Sequence, residues 1–124
     1  PRPGEKGSVI VVLGTDLPLD GRQLQRIARR AGAGLARLGA FWGNGSGDVA
    51  LAFTTADPLP HHGTDPFRTL RRLDDGLIDL PFRAAAETVQ EAVLNALCAA
   101  PATGGRDGRH FPALADWAGA GAGQ

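Results

Sequence analysis

The apolar positions of the chain fall into two strand-like runs and two helix-like stripes. The first run, residues 8–13, is continuous and rich in β-branched side chains, a pattern typical of a strand buried on both faces. In the second run, residues 48–54, Val49, Leu51 and Phe53 alternate with smaller residues, which predicts another strand. Two strands form no stable sheet by themselves, so the pattern predicts a chain that completes a larger sheet.

The first helical stripe lies between the two predicted strands. Asp20 is suited to cap its start, apolar residues recur at helical spacing as far as Leu38, and Gly39 stands where a C-cap glycine belongs. Gly32 and Gly34 weaken this helix intrinsically. Their presence therefore predicts close packing of the helix against a neighbouring element.

The second helical stripe is long and follows a loop. Residues 56–67 carry prolines, histidines and a glycine and are predicted to form the loop, whereas the pattern over residues 70–80 fits either a short strand or a helical turn. The long helix comes next, with Pro81 in its first turn, and it closes at Pro101. The order β-α-β-α predicts an α/β fold in which sheet and helices form layers.

Length and composition limit the chain to one domain or to part of one. Of the 124 residues 43% are hydrophobic, too many for a disordered chain, yet the aromatic residues are only five Phe and two Trp. Much of the apolar content is alanine, so the core that the chain buries alone is thin. We predict a flexible lead-in at residues 1–7, a folded part at 8–118 and a mobile tail at 119–124.

The charge balance excludes several classes of partner. Thirteen basic and thirteen acidic residues give a formal net charge of zero, so neither nucleic acid nor a membrane surface is predicted as a partner. No apolar stretch approaches the length of a membrane span, and the first residues do not form a signal peptide. These features favour a cytoplasmic protein and leave a periplasmic or secreted one open if a signal lies on a missing part.

Several other polar residues are predicted to be structural. His61 and His62 have no further ligand at metal spacing, so no metal site is predicted. The arginines of the first helix lie on its polar side and are predicted to be solvated or to form salt bridges between chains. Cys98 excludes an internal disulfide framework and is predicted to be packed rather than reactive. Residues 106–108 are predicted to form a turn.

Ser8 is the first candidate for chemistry. It stands directly before the first apolar run, so a rigid strand holds it where the strand meets solvent. One interpretation is a serine that opens a strand and bonds locally to the backbone. The other is an amino-terminal nucleophile, because cleavage of the Gly7–Ser8 amide would give Ser8 a free amine as the base for its own hydroxyl.

The glycine-rich segment at 43–48 has three interpretations. Asn44-Gly45 is typical of a tight turn that starts a hairpin. Alternate glycines also suggest a phosphate cradle, although no helix pattern follows them. The third interpretation is a hydrogen-bonded relay, because Ser46 and Asp48 point to the same side of an extended segment. A carboxylate there can orient a hydroxyl and stabilise positive charge on a nearby amine such as that of a freed Ser8.

Seven blocks of residues, in this order, resemble one known family. They are GSVIVV at 7–12, TDLPL at 15–19, QLQRIARR at 23–30, GNGSGD at 43–48, LAFTTA at 51–56, EAVLNALCAA at 91–100 and GRDG at 105–108. Together they resemble the β-chain portion of the L-aminopeptidase/D-esterase (DmpA-like) family, which includes the β-peptidyl aminopeptidases. The resemblance covers nearly the whole chain.

The resemblance implies a precursor that cuts itself between Gly7 and Ser8 and yields an α chain and a β chain. Ser8 matches the nucleophile of the family, and Ser46 and Asp48 match its auxiliary hydroxyl and acid. Asn44, Gly45 and Gly47 belong to the matching loop. The implied fold is an αββα sandwich shared with ornithine acetyltransferases, in which this chain completes a sheet with a missing α chain. The implied substrate is a small peptide, amide or ester, and no cofactor is implied.

Some features depart from the family pattern, and other functions stay open. Phe41-Trp42 is bulkier than the residues that the family pattern has before the glycine loop, and the loop with His61 and His62 matches nothing in that pattern.

A non-catalytic scaffold or ligand-binding relative remains an alternative function. So does an acyltransferase of the ornithine acetyltransferase type, although threonine rather than serine is expected as its nucleophile. A buried strand and a thin core predict an obligate heterodimer of α and β chains, further assembled into an oligomer.

Overall fold

The computed structural model of the chain describes residues 7–120, with side chains described as far as Trp117. The chain divides into two compact units, one that ends at Val89 and one that begins at Gln90. The first unit contains the predicted strands, the first helical stripe and Ser8. It is therefore the unit that positions the candidate site.

The first unit is built on two parallel strands. β1 spans Ile10–Thr15 and β2 spans Val49–Thr54, paired from Ile10 with Val49 to Thr15 with Thr54. The prediction for β2 is confirmed, whereas β1 begins and ends two residues later than residues 8–13. The parallel pairing rules out the hairpin interpretation of the 43–48 segment, because a hairpin joins antiparallel strands.

One face of this strand pair is open. Ile10 and Val12 are 73% and 60% exposed, whereas their neighbours in β1 are half-buried. The prediction of a strand buried on both faces is therefore wrong for the chain by itself, because helices cover only one side of the sheet. We call the exposed apolar residues on the other side the open face: Ile10, Val12, Val49, Leu51 and Phe53.

The first helical stripe forms two helices rather than the single one predicted. α1 spans Gly21–Ala28 and α2 spans Ala31–Ala36. Between them the Arg30 N–H donates to the Ile27 carbonyl at 2.8 Å, a tight i to i−3 turn that ends the α-helical bonding. Gly39 has a φ of +91° just after α2, as the C-cap pattern predicts.

Close packing at the two helix glycines is confirmed. A Cβ added at Gly34 would lie 2.5 Å from the Ala86 carbonyl oxygen and 2.9 Å from the Val89 Cβ. A Cβ added at Gly32 would overlap the ring of Trp42. Glycine lowers helix propensity at both positions, but it lets neighbouring groups contact the helix backbone directly. Any larger side chain at either position would prevent that contact.

The third helix and a short turn before it complete the first unit. The ambiguous 70–80 segment contains a 3₁₀ turn at Asp75–Leu77, and α3 then spans Asp79–Ala99 with Pro81 in its first turn, as predicted. The core of the unit is a cluster of buried side chains from the loops and helices: Leu19, Ile27, Ile78, Phe82 and Ala85.

A buried amide joins the start of α1 to the segment before α3. Gln23 is fully buried, and its Nε2 donates to the Leu73 carbonyl at 2.9 Å and to Asp75 Oδ1 at 2.7 Å. Its Oε1 accepts from the Asp20 N–H at 3.2 Å, and its own N–H donates to Asp20 Oδ1 at 2.7 Å. The two bonds with Asp20 form a capping box, so one side chain both caps α1 and fixes the 73–75 segment.

Replacement of this buried amide should destabilise the unit. Gln23→Leu removes three hydrogen bonds and leaves the Leu73 carbonyl without this donor, so we expect the free energy of unfolding to fall by about 2–4 kcal/mol. Urea denaturation followed by circular dichroism measures it. Gln25→Leu, the same change at an exposed position of the same helix, is the control and should shift the midpoint little. Equal effects of the two substitutions would contradict the role of the Gln23 amide.

The second unit holds short elements after the remainder of α3. β3 (Thr103–Gly104) pairs antiparallel with β4 (His110–Phe111), and the predicted turn at 106–108 lies between them, with Asp107 at a φ of +61°. α4 spans Leu114–Ala120, so it enters the predicted tail, and residues 121–124 lie outside the described residues.

Two further observations concern the helices. Cys98 is exposed, so the prediction of a packed thiol is wrong: the apolar stripe of α3 is buried at Phe82, Ala85 and Val89 but not at its last turn. Among the described residues no helix is both long and apolar enough to cross a membrane.

Candidate active site

Ser8 lies two residues before β1, where the chain is exposed. Gly7 and Ser8 are both exposed, so the amide that joins them lies at the surface of the described chain. The Ser8 Oγ accepts a hydrogen bond of 2.9 Å from the Gly47 N–H. The hydroxyl is thus held by a backbone donor from the glycine-rich segment, 39 residues further along the chain.

Asp48 stands at the same end of the neighbouring strand, directly before β2. Its Oδ1 accepts two hydrogen bonds, one of 2.9 Å from the Val9 N–H and one of 2.8 Å from the Ser46 hydroxyl. The carboxylate is half-buried. It fixes the backbone next to Ser8 and, at the same time, the hydroxyl of Ser46.

Parallel pairing explains why these residues meet. The amino ends of parallel strands lie at the same edge of a sheet, so the residues before β1 and those before β2 become neighbours. The Val49 N–H donates to the Val9 carbonyl at 3.0 Å, which continues the ladder to the residue after Ser8. The structure therefore brings together all three side chains singled out in the sequence: Ser8, Ser46 and Asp48.

The glycine-rich segment forms a tight turn, but not the hairpin turn that one of its interpretations predicts. The Ser46 N–H donates to the Gly43 carbonyl at 2.9 Å, with Asn44 and Gly45 at the centre of the turn. The next amide, that of Gly47, donates to Ser8. These amides bond within the protein and β2 rather than a helix follows, so the phosphate-cradle interpretation loses its physical basis.

A cavity of about 320 Å³ lies beside the site. Val11 of β1 and Val9, just before that strand, line one wall, and Leu35 of α2 lines another. Ser46, Asp48 and Trp42 also line it. Trp42 has a φ of +52°, and its position was not predicted from the sequence; the only signal was its bulk in front of the glycine loop.

The other candidate residues stand apart from this site. His61 and His62 contact each other edge to face at 4.4 Å between ring centroids in an exposed loop. Across the described residues no three side chains of the metal-ligating types come together. Asn44 and Gly45 contribute only the backbone turn described above.

The arginines of α1 and the N-cap arginine of α2 make contacts within the chain. Arg22 forms an ion pair with Asp75 at 2.5 Å, and this contact lowers the pKa of the Asp75 carboxyl, as does the Gln23 amide. The guanidinium groups of Arg26 and Arg30 lie 4.9 and 3.9 Å from the centroid of the Phe82 ring. These residues support the helical layer and face no part of the serine site.

Comparison with known proteins identifies the family. Residues 2–111 match the family model of peptidase family S58. The chain belongs to this family. It is 39% identical over 106 residues to the β-peptidyl aminopeptidase BapA of Sphingosinicella microcystinivorans, covering 86% of this chain and 26% of that protein. The resemblance drawn from the seven sequence blocks is therefore confirmed.

Two solved structures are also similar. The PH0078 protein from Pyrococcus horikoshii OT3 has a TM-score of 0.82 and 45% identity, covering 86% of this chain and 30% of that one. The L-aminopeptidase D-Ala-esterase/amidase from Ochrobactrum anthropi, described as a variant of the Ntn hydrolase fold, has a TM-score of 0.76 and 40% identity, covering 91% and 33%. The predicted fold class is thus confirmed, and the chain spans about a quarter to a third of the length of these relatives.

Proposed function

We propose that this chain is the β-chain half of a self-processing serine aminopeptidase. The observation that carries the proposal is the placement of the Ser8 hydroxyl. It lies on an exposed segment, is held by the Gly47 amide at 2.9 Å, and adjoins a residue whose own amide is bound by Asp48. An amino-terminal nucleophile needs this combination of a fixed hydroxyl and an accessible backbone.

The first reaction is cleavage of the chain by its own serine. The Ser8 Oγ attacks the Gly7 carbonyl carbon, the C–N bond between the two residues breaks, and the nitrogen of Ser8 takes up the hydroxyl proton. Water then hydrolyses the resulting ester. The products are a carboxylate on Gly7 and a β chain that begins with Ser8, which now carries a free amine.

The second reaction uses the same hydroxyl on a substrate. The amine of Ser8 accepts the hydroxyl proton while Oγ attacks an amide or ester carbonyl, and the proton then passes to the leaving group. Water releases the acyl group from Oγ and regenerates the serine. An α-amine titrates near pH ~8, so a large enough fraction is neutral to act as a base near neutrality.

Asp48 and Ser46 act on this amine and on the backbone that carries it. The Asp48 carboxylate already holds the Val9 N–H, one peptide unit away from the nitrogen of Ser8. A negative charge at that distance stabilises the protonated amine formed during attack. The Ser46 hydroxyl donates to the same carboxylate oxygen and so fixes its orientation.

The open face supports an α chain from the same precursor as the partner. Its five large apolar side chains are between 49% and 73% exposed, and soluble monomers rarely expose a contiguous apolar patch of this kind. Ser8 precedes Ile10 by two residues in an extended segment, so it lies at the edge of this face. The covering chain would then supply the remaining walls of the substrate pocket and the oxyanion donors.

The substrate class follows from the reaction and the relatives. BapA is named a β-peptidyl aminopeptidase, and the Ochrobactrum enzyme an L-aminopeptidase with D-Ala-esterase and amidase activity. For this chain we infer short substrates with a free amino terminus whose first amide or ester bond is hydrolysed. A panel of an L-amino-acid anilide, a D-alanine ester and a short β-peptide distinguishes the three possibilities.

Trapping of the acyl-enzyme tests the proposed function. The mature protein is incubated with the D-alanine ester or the L-amino-acid anilide, quenched in acid within one turnover, and analysed by peptide mass spectrometry. We expect the acyl group as a mass increase on the peptide that begins with Ser8. Turnover with no modified peptide, or with the acyl group on another residue, would contradict the assignment of Ser8.

A further inference from the structure

Trp42 adopts a backbone conformation that bulky residues rarely occupy. Its φ is +52°, in the left-handed region that glycine and asparagine favour. A strained backbone of this kind persists only where surrounding contacts hold it. Trp42 directly precedes the turn formed by residues 43–46, so whatever holds Trp42 also determines where that turn begins.

Trp42 is 52% exposed, and the covered part of its ring packs on Gly32 of α2. The edge of the six-membered ring, at Cζ2 and Cη2, occupies the position where a Cβ of residue 32 would lie. Gly32 is buried, and α2 is itself fixed because Gly34 packs against the backbone of Ala86 in α3. The contact between the indole and Gly32 therefore fixes the position of the start of the turn relative to α2.

The segment after Trp42 borders the cavity beside the site. Trp42, Ser46 and Asp48 all line this cavity of about 320 Å³, and so do Gly32 and Leu35 of α2. Hydrogen bonds to Val9 and Ser8 hold the far end of the segment, at Asp48 and Gly47. The ring on Gly32 is a side-chain contact between the near end of the segment and the helical layer.

We propose that Trp42 is a positioning residue, which acts through its contact with Gly32 to place Ser46, Gly47 and Asp48 against Ser8. This inference rests on the proposed function, because it concerns the same serine site. Only three residues, within one closed turn, separate Trp42 from Ser46, so a displaced ring shifts the Gly47 N–H away from the Ser8 hydroxyl.

Substitution of Gly32 tests the inference in the full-length protein. Gly32→Ala places a methyl group where the ring lies, and we expect kcat and the rate of self-cleavage to fall at least about tenfold, because small displacements in a catalytic site have large effects on rate. KM should change less than about threefold, since the altered group does not bind substrate. Gly21→Ala is the matched control, because a Cβ there meets no atom within 4 Å.

Fluorine NMR reports on the ring itself. Trp42 and Trp117 are the two tryptophans of this chain and are 52% and 69% exposed. With fluorotryptophan incorporated, the resonance that disappears in Trp42→Phe is that of Trp42, and Gly32→Ala should shift this resonance while the far-ultraviolet circular dichroism stays the same. An unchanged resonance together with unchanged kcat would overturn the inference.

A double-mutant cycle separates the contact from general damage to the fold. Trp42→Gly relieves the positive φ and removes the ring, and it should lower kcat as Gly32→Ala does. Once the ring is gone, Gly32→Ala should lower kcat no further. Additive effects would overturn the inference, whereas activity that survives Ser8→Ala would overturn the proposed function, so the two failures are distinguishable.

Discussion

Replacement of Ser8 by alanine is expected to abolish both self-cleavage and turnover. The substitution removes the hydroxyl that lies next to the Gly7–Ser8 amide and is held by the Gly47 N–H. Loss of a covalent nucleophile lowers kcat by at least roughly 10³-fold, because the acyl intermediate forms on this hydroxyl in the proposed mechanism. Gel electrophoresis of the full-length precursor shows cleavage, and hydrolysis of the three-substrate panel shows turnover.

The control for this experiment keeps the hydroxyl. Ser8→Thr preserves an Oγ that can accept from the Gly47 N–H, and it should retain measurable cleavage at a reduced rate. Both variants should unfold at nearly the same temperature as the parent, because Ser8 is exposed and lies outside the core. A Ser8→Ala protein that is cleaved at the normal rate would remove Ser8 from the mechanism.

Asp48→Asn is expected to lower kcat by roughly 10²-fold, the usual cost of losing one electrostatic contact in an active site. Both hydrogen bonds of Asp48 end on Oδ1, and asparagine keeps an oxygen there for the Val9 N–H and the Ser46 hydroxyl. The substitution therefore removes the charge and preserves the geometry. Asp16→Asn, at an exposed position, is the matched control and should leave kcat unchanged.

The pH dependence of this variant identifies what the charge does. A nearby carboxylate favours the protonated amine and so raises the pKa of the Ser8 amine after cleavage. Its removal should lower that pKa and move the acidic limb of the kcat/KM profile to lower pH, even though the maximal rate falls. An acidic limb that does not move would show that Asp48 acts only on the backbone.

The three candidate side chains could be singled out from the sequence because they directly precede two apolar runs and match the motif blocks of the family. The parallel pairing of the two strands, which brings Ser8 next to Ser46 and Asp48, was not predicted and is seen in the structure. The glycine contacts were also predictable, because Gly32 and Gly34 contradict helix propensity unless packing requires them. The turn at 43–46 follows from Asn44-Gly45 in the same way.

The open face and the Trp42 contact could not be predicted, for different physical reasons. The pattern of residues 8–13 indicates that both faces of the strand are apolar. It does not indicate whether this chain or a partner covers each face. The ring of Trp42 contacts Gly32 through tertiary packing. The two residues stand ten positions apart in the sequence, so no local pattern encodes the contact. Cys98 was misjudged because the apolar stripe of α3 extends beyond the buried part of the helix.

The intact mass and amino-terminal sequence of the protein purified from its full-length precursor test the central claim most directly. The account predicts two chains, one of which begins with Ser8-Val9-Ile10 and carries no modification on its amine. It also predicts that they copurify, since the proposed α chain covers the open face. A single chain that runs unbroken through Gly7 and Ser8, with full activity on the substrate panel, would contradict it.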